Sequence, residues 1–123
     1  MNDQKCTKGQ MESLISGAVS KFEKEYMGRG PKEIKTTIIK SHILIVVDGF
    51  LSQSEQIIAE NGDGIKLIKE MRMTLFEKTR DRLLELIKEI VNVPIISTHS
   101  DVSTKTGEKV IVLSLNCDLE ELL

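Results

Sequence analysis

Aromatic residues are scarce in this sequence: its 123 residues include no tryptophan, one tyrosine and three phenylalanines. Any buried core must therefore be built mainly from aliphatic side chains. Cysteine is also rare, since only Cys6 and Cys117 occur, near opposite ends and without the short spacing of a zinc or redox motif. We therefore predict a reducing, cytoplasmic setting in which both cysteines act as small apolar residues.

The chain also lacks a strong charge of one sign and a long hydrophobic run. Its formal net charge is −2, whereas proteins that bind nucleic-acid backbones present a basic surface, so nucleic acid is a disfavoured partner. The longest apolar run, residues 43–47, falls far short of the roughly 20 residues that cross a bilayer. Residues 1–10 are polar, unlike a signal peptide. We expect a cytoplasmic protein with no transmembrane segment.

Hydrophobic spacing predicts the secondary structure. Apolar residues at three- and four-residue intervals predict a first helix over about residues 10–27, after a flexible lead at 1–9. β-branched and apolar runs predict two hairpins, and a capping pattern followed by a long helical stripe predicts two helices between them. The expected later segments are strands at about 33–40 and 43–51, helices at about 53–60 and 64–91, and strands within 93–102 and 108–117.

The element order α-β-β-α-α-β-β predicts an α+β fold. Hairpins make the four-stranded sheet mainly antiparallel, and helices on one of its faces give a two-layer sandwich, with residues 10–123 as a single domain. The long helix also carries apolar residues outside its main stripe, and an extra apolar face on a small domain predicts a homodimer. These residues are Leu67, Met71, Leu84 and Val91.

Two glycine-containing loops raise the question of a phosphate site. The loop Gly28-Arg29-Gly30-Pro31 closes a helix and opens a strand, the reverse of a phosphate-binding loop, and Pro31 removes a donor. It is therefore predicted to be a connector, in which Arg29 is exposed and available to a partner. The loop over residues 61–64 precedes the long helix, where Asp63 is the predicted N-cap.

Arg72 is the least ordinary residue, because it lies in the apolar stripe of the long helix between Ile68 and Leu75. An arginine facing a core keeps its charge and needs a carboxylate, carbonyl groups or a bound anion. A structural ion pair is the favoured interpretation, and an anion or partner contact is the functional alternative. Arg80 continues the basic character of this helix. The carboxylates available inside the chain are Asp48, Glu55 and Asp101.

No pattern of catalytic residues emerges. His42 stands alone, and His99 with Asp101 would point to the same side of a strand without an ordered set of partners. There is no nucleophile elbow, zinc spacing or pair of catalytic carboxylates. We therefore expect a protein that is not an enzyme and needs no metal or cofactor.

Three motifs together resemble the MpsC-like family of bacterial proteins: "GRGP" after the first helix, "DGFLSQSE" after the second strand, and "MR" in the long helix. The resemblance covers about residues 11–116, although Ser52-Gln53 stands where the family usually has threonine-proline. It implies an accessory or regulatory component of a sodium-translocating, membrane-potential-generating system, acting through a membrane transport subunit and peripheral to the inner membrane face. It implies no catalytic residues. The positions that match the pattern are Gly30, Pro31, Glu55, Arg72 and Arg80.

Two alternatives stay open. The element order also resembles that of a type II KH domain, which binds single-stranded RNA through a GXXG loop between its two middle helices. Residues 61–64 occupy that place here but lack the spacing and are acidic. The other alternative is a sensor of a small anion, which rests on Arg72.

Overall fold

A computed structural model describes residues 6–28 and 30–123 of the chain, and its elements follow the predicted order. The sheet and the long helix confirm the α+β class. The elements are α1 (Lys8–Tyr26), β1 (Glu33–Ile39), β2 (His42–Asp48), α2 (Gln53–Ile58), α3 (Gly62–Val91), β3 (Ile95–Ser103), β4 (Glu108–Leu115) and α4 (Leu119–Leu122).

Helix boundaries follow from capping side chains. Thr7 caps α1 in a reciprocal capping box with Gln10, so residues 8 and 9, predicted as part of the flexible lead, are helical. The rest of that predicted lead, apart from residues 6 and 7, lies outside the described residues. Asn61, with its side chain accepting from the Gly64 N–H at 2.9 Å, caps α3. The prediction that Asp63 is the cap was therefore wrong, and Asp63 lies in the first turn.

The hairpins differ from expectation mainly at their ends. β2 stops at Asp48, because Gly49 adopts a left-handed φ of 71° and its N–H bonds the carbonyl of Gly107 at 2.9 Å. β3 continues to Ser103, one residue beyond the predicted strand segment at 93–102. Residues 49–51, predicted as strand, instead lead from the sheet to α2.

All strand pairs are antiparallel, and the sheet order is β1-β2-β4-β3. The two hairpins therefore join through their second strands, which places β4 beside β2 in the centre. The turn between β1 and β2 includes Lys40, whose φ is 53°. Helix α4 supports this turn, since the Leu119 N–H bonds the Lys40 carbonyl at 2.9 Å and Glu120 accepts from the Lys40 N–H at 2.6 Å.

Helices α1 and α3 pack together on one face of the sheet, and the core lies between the layers. Alternate strand residues point into it, as the period of two requires. Val91, predicted to lie outside the core stripe of α3, is only 4% exposed and belongs to the core. Leu84, predicted to lie outside the stripe as well, is partly buried and packs against the core. The fully buried core side chains include Ile15, Phe22, Ile38, Ile45, Leu83, Ile87, Ile111 and Leu113.

Candidate functional site

Arg72 is buried in the first half of α3, with 4% of its surface exposed, and donates four hydrogen bonds. Its Nε bonds Glu55 Oε2 at 2.9 Å, and its Nη2 bonds Glu55 Oε1 at 2.6 Å. The other two go to main-chain carbonyls, from Nη1 to Met27 at 2.9 Å and from Nη2 to Phe50 at 3.1 Å. This bidentate, charge-assisted arrangement is the strong form of an arginine–carboxylate pair. Of the three carboxylates offered by the sequence, Glu55 is the partner.

Glu55 is held in place by its own helix. Its N–H bonds the hydroxyl of Ser52 at 3.1 Å, and its Oε1 accepts from the Ser52 N–H at 2.9 Å, which completes the predicted capping box. Burial acts to raise the pKa of Glu55, but the hydrogen bonds from Arg72 and from the Ser52 N–H outweigh it and lower that pKa. The carboxylate therefore stays ionised. It caps α2 through Ser52 and binds Arg72 of α3 at the same time.

The bonds of Arg72 join three segments that are distant in sequence. Met27 is the C-cap of α1, and Gly28 follows it with a left-handed φ of 102°. Phe50 lies between β2 and α2, and its ring is 5.2 Å from the Arg72 guanidinium carbon. The residue just before "GRGP", the segment "DGFLSQSE" and the "MR" of α3 thus meet at one side chain. Arg72 fixes how these three segments lie against one another.

A second buried ion pair lies between α1 and β4, and sequence reasoning missed it. Lys109 Nζ is 2.9 Å from Glu23 Oε2, and the two side chains are 2% and 1% exposed. The Lys109 ammonium also lies 4.9 Å from the centre of the Phe76 ring. Burial lowers the pKa of Lys109, with a smaller contribution from the charge of Arg72, although Glu23 opposes the shift.

Both missed residues carry a signal in the sequence. Lys109 alternates with the core residues Ile111 and Leu113, so it must face the helices. Glu23 lies four residues after Val19, in the buried row of α1. A charge at a core-facing position in each of two elements is the pattern expected of a buried pair.

A cavity of about 50 Å³ lies between α3 and β3, beside both buried cations. Two hydroxyl residues of β3 line it, and the hydroxyl of Thr98 is buried with no hydrogen-bond partner among the described residues. A buried hydroxyl normally finds a partner. The side chains along this cavity include Lys69, Arg72, Phe76, Thr98, Ser100 and Lys109.

An open groove of about 380 Å³ lies on the other side of Arg72, where α1 ends. Met71, 45% exposed, and Tyr26, 36% exposed, give it an apolar wall. The ionised side chains of Glu55 and Arg72 form part of its floor. The groove thus combines a flexible methionine and an aromatic ring above a fixed ion pair.

The structure brings only some of the predicted site residues together. Glu55 and Arg72 meet at the groove. Gly30 and Pro31 lie in the connection from α1 to β1, and the Lys24 side chain packs against Gly30. Arg80 does not join them: its Nη1 lies 3.4 Å from Glu77 Oε2 on the surface of α3. Arg29 lies outside the described residues. The roles proposed for these residues in binding stay predictions.

The chain matches the profile of one protein family over residues 7–117, described as "Na+-translocating membrane potential-generating system (MpsC)". This match spans most of the chain. The chain belongs to the MpsC family. The predicted resemblance is confirmed, and residues of all three motifs that carried it line the groove at Arg72.

Two relatives from Bacillus subtilis strain 168 resemble the chain along most of their length. Uncharacterized protein YbcI is 36% identical over 119 residues, covering 97% of this chain and 96% of its own. Uncharacterized protein YrhF is 25% identical over 104 residues, covering 84% and 85%. No solved structure matches the chain.

Within residues 6–28 and 30–123, none of the helices is both long and apolar enough to cross a bilayer. The same residues contain no group of three or more histidine, cysteine or acidic side chains arranged to hold a metal ion. His42 and His99 are exposed on the sheet.

Proposed function

We propose that this protein is a non-enzymatic accessory or regulatory component of a sodium-translocating, membrane-potential-generating system. The family to which the chain belongs carries that system in its name. The described helices offer no membrane span, so the ions would cross through another subunit. The protein acts from the cytoplasmic side, peripheral to the membrane, by binding that subunit.

The groove beside Arg72 is the surface that best supports this proposal. Its apolar wall includes Met71, a residue type whose flexible side chain suits contact with varied partners. Exposed Leu67 lies one turn before Met71 on α3 and extends the apolar surface. The groove also adjoins all three family motifs, and this convergence is the observation that carries the proposal. Arg72 acts as a positioning residue, because its hydrogen bonds hold the groove's three segments.

Affinity capture from detergent-solubilised membranes of the source bacterium tests the proposal. Wild-type protein is compared with Met71→Glu, which puts a charge on the apolar wall, and with Ile96→Glu, a matched change at a 66% exposed position on β3. We expect an ion-transport subunit to be recovered with wild type and Ile96→Glu and lost with Met71→Glu. Recovery without any ion-transport subunit would overturn the proposed function. Equal recovery by all three would overturn the groove as its surface.

A second candidate function, sensing a small anion, is favoured by the cavity between α3 and β3. The unpartnered Thr98 hydroxyl and the Lys109 ammonium both line this cavity. Its volume of about 50 Å³ limits a ligand to a few atoms. Thermal unfolding with chloride, sulfate, phosphate or bicarbonate tests this candidate. One anion should raise the Tm of wild type but not of Thr98→Val, which keeps the shape and removes the hydroxyl.

A further inference from the structure

The face of the sheet opposite the helices carries an apolar centre. Leu44 and Val46 of β2 and Val110 and Val112 of β4 alternate with the buried core residues, so they point away from α1 and α3. All four are half-buried, and none packs against the core cluster. Two neighbouring central strands thus present four aliphatic side chains on a face that none of the described helices covers.

The strand registers arrange this face in rows. In both central rows the apolar pair lies in the middle and polar side chains lie on the edge strands. From β1 to β3, the central rows are Thr37, Leu44, Val112, His99 and Lys35, Val46, Val110, Asp101. The outer rows are Ile39, His42, Ser114, Ser97 on one side and Glu33, Asp48, Glu108, Ser103 on the other.

Histidines and carboxylates lie at opposite ends of the face along the strands. Both histidines, His42 and His99, lie in the two rows nearer the turn between β1 and β2. The carboxylates of Asp48, Glu108, Asp101 and Glu33 lie in the other two, together with Lys35 on the edge strand β1. Turning the face end over end would therefore place histidines over carboxylates. Because a histidine ring carries an N–H that can donate to a carboxylate, the polar ends of the face are complementary to those of a second copy.

We propose that two copies of this chain pack sheet against sheet through these open faces. The twofold axis runs across the strands between the two central rows, so strands of the two copies run in opposite directions. Leu44 then lies over Val46 of the second copy, and Val112 lies over its Val110. His99 faces the second copy's Asp101, and each contact occurs twice, as an isologous interface requires.

The orientation across the strands brings no two like charges into direct contact, whereas the alternative orientation does. An axis parallel to the strands would keep each row over itself. It would place Lys35 of one copy against Asp101 of the other, but also Asp48 against Glu108. Like charges brought together across an interface disfavour that arrangement. The orientation across the strands instead places Asp48 over His42 of the second copy and separates the acidic rows.

The size of the face sets the expected affinity. Four strands about 4.8 Å apart, with seven residues rising about 3.3 Å each, give a face of about 19 by 23 Å. This is at the small end of specific interfaces, so we expect a dimer that dissociates in the micromolar range. The proposal does not depend on the proposed function, since the groove beside Arg72 lies on the helical layer.

Sedimentation equilibrium from about 1 to 100 µM tests the dimer. Wild type should approach twice the 13.8 kDa mass of one chain, and Val46→Lys should stay monomeric while keeping the wild-type circular dichroism spectrum. Met71→Lys, on the helical layer, should dimerise like wild type. A wild type that is monomeric throughout would overturn the proposal. So would a dimer that survives Val46→Lys or is lost with Met71→Lys.

A charge exchange tests the orientation. Asp101→Lys removes the carboxylate facing the second copy's His99, and we expect the dimer to dissociate at least tenfold more readily. Adding His99→Glu to Asp101→Lys places a carboxylate opposite the new lysine of the second copy and should recover most of that loss. Thermal unfolding of each variant at a concentration where it is monomeric separates folding from association. Failure of the second change to recover dimerisation would overturn the proposed orientation.

Discussion

Glu55 accepts hydrogen bonds from Arg72 at both carboxylate oxygens, at 2.9 and 2.6 Å, across 17 residues of sequence. The same carboxylate closes the capping box of α2 through Ser52. A local helix signal and a long-range ion pair therefore share one side chain. The segment "SQSE" supplies the carboxylate of this ion pair, and the segment "MR" supplies its guanidinium.

Arg72→Ala should lower the free energy of unfolding by about 3–5 kcal/mol, because it leaves the buried Glu55 carboxylate without its cation. A small domain has about 5–15 kcal/mol in total, so the variant should be marginally stable. Urea unfolding measures the loss. Arg80→Ala is the matched control on the same helix, where an exposed charge should contribute within about 0.5 kcal/mol. A loss well below 1 kcal/mol for Arg72→Ala would contradict the buried pair.

The lowered pKa of Glu55 predicts a specific loss of stability in acid. A carboxyl whose pKa is lower in the folded than in the unfolded state contributes stability that is complete above its unfolded pKa. That contribution should disappear as the pH falls from about 4.5 through the folded pKa. Urea midpoints measured from pH 7 to pH 3 should fall less steeply in Glu55→Gln than in wild type. Parallel curves would show that Glu55 does not titrate in this range.

The sequence determines α3 and its buried arginine better than it determines their surroundings. The three- and four-residue spacing around Arg72 required a core-facing charge, and Glu55 was among only three carboxylates considered. The placement of Val91 failed because its continuation of the four-residue row through Leu83 and Ile87 was overlooked. For Arg72 and Val91, the residue spacing within α3 alone is enough to show that the side chain faces the core.

The Glu23–Lys109 pair depends on information that is not local. Its members are 86 residues apart, and they meet only because β4 lies in the middle of the sheet. Two hairpins can join through either of their strands, and hydrophobic spacing within each hairpin does not choose between these orders. The charges were visible at core-facing positions, but their pairing required the sheet order β1-β2-β4-β3.

Replacing both members of this second pair should cost less than replacing either one. Glu23→Leu or Lys109→Met alone leaves one buried charge without its partner, which we expect to cost about 3–5 kcal/mol. The double variant replaces the pair with apolar side chains of similar size and should recover most of that loss. A double-mutant cycle by urea unfolding measures the coupling. Additive losses would mean that the two side chains do not interact in solution.

Gly64 should tolerate no side chain, whereas nearby Gly62 should tolerate one. A Cβ on Gly64 would lie 1.6 Å from the carbonyl oxygen of Ile58, so α2 and α3 would have to separate. Gly62→Ala meets no atom within 4 Å and replaces glycine with a better helix former. We expect Gly64→Ala to lower the free energy of unfolding by about 1–3 kcal/mol or more, and Gly62→Ala to leave it unchanged or slightly raised.

Both alanine variants change the first turn of α3 by one methyl group, so urea unfolding compares them directly. The difference also bears on the alternative in which residues 61–64 act as an RNA-binding loop, which stays a prediction. A glycine kept for a nucleic-acid contact would affect binding and leave stability intact. A glycine kept because the Ile58 carbonyl lies against it affects stability first. Equal stability of the two variants would contradict the close approach of α2 to the first turn of α3.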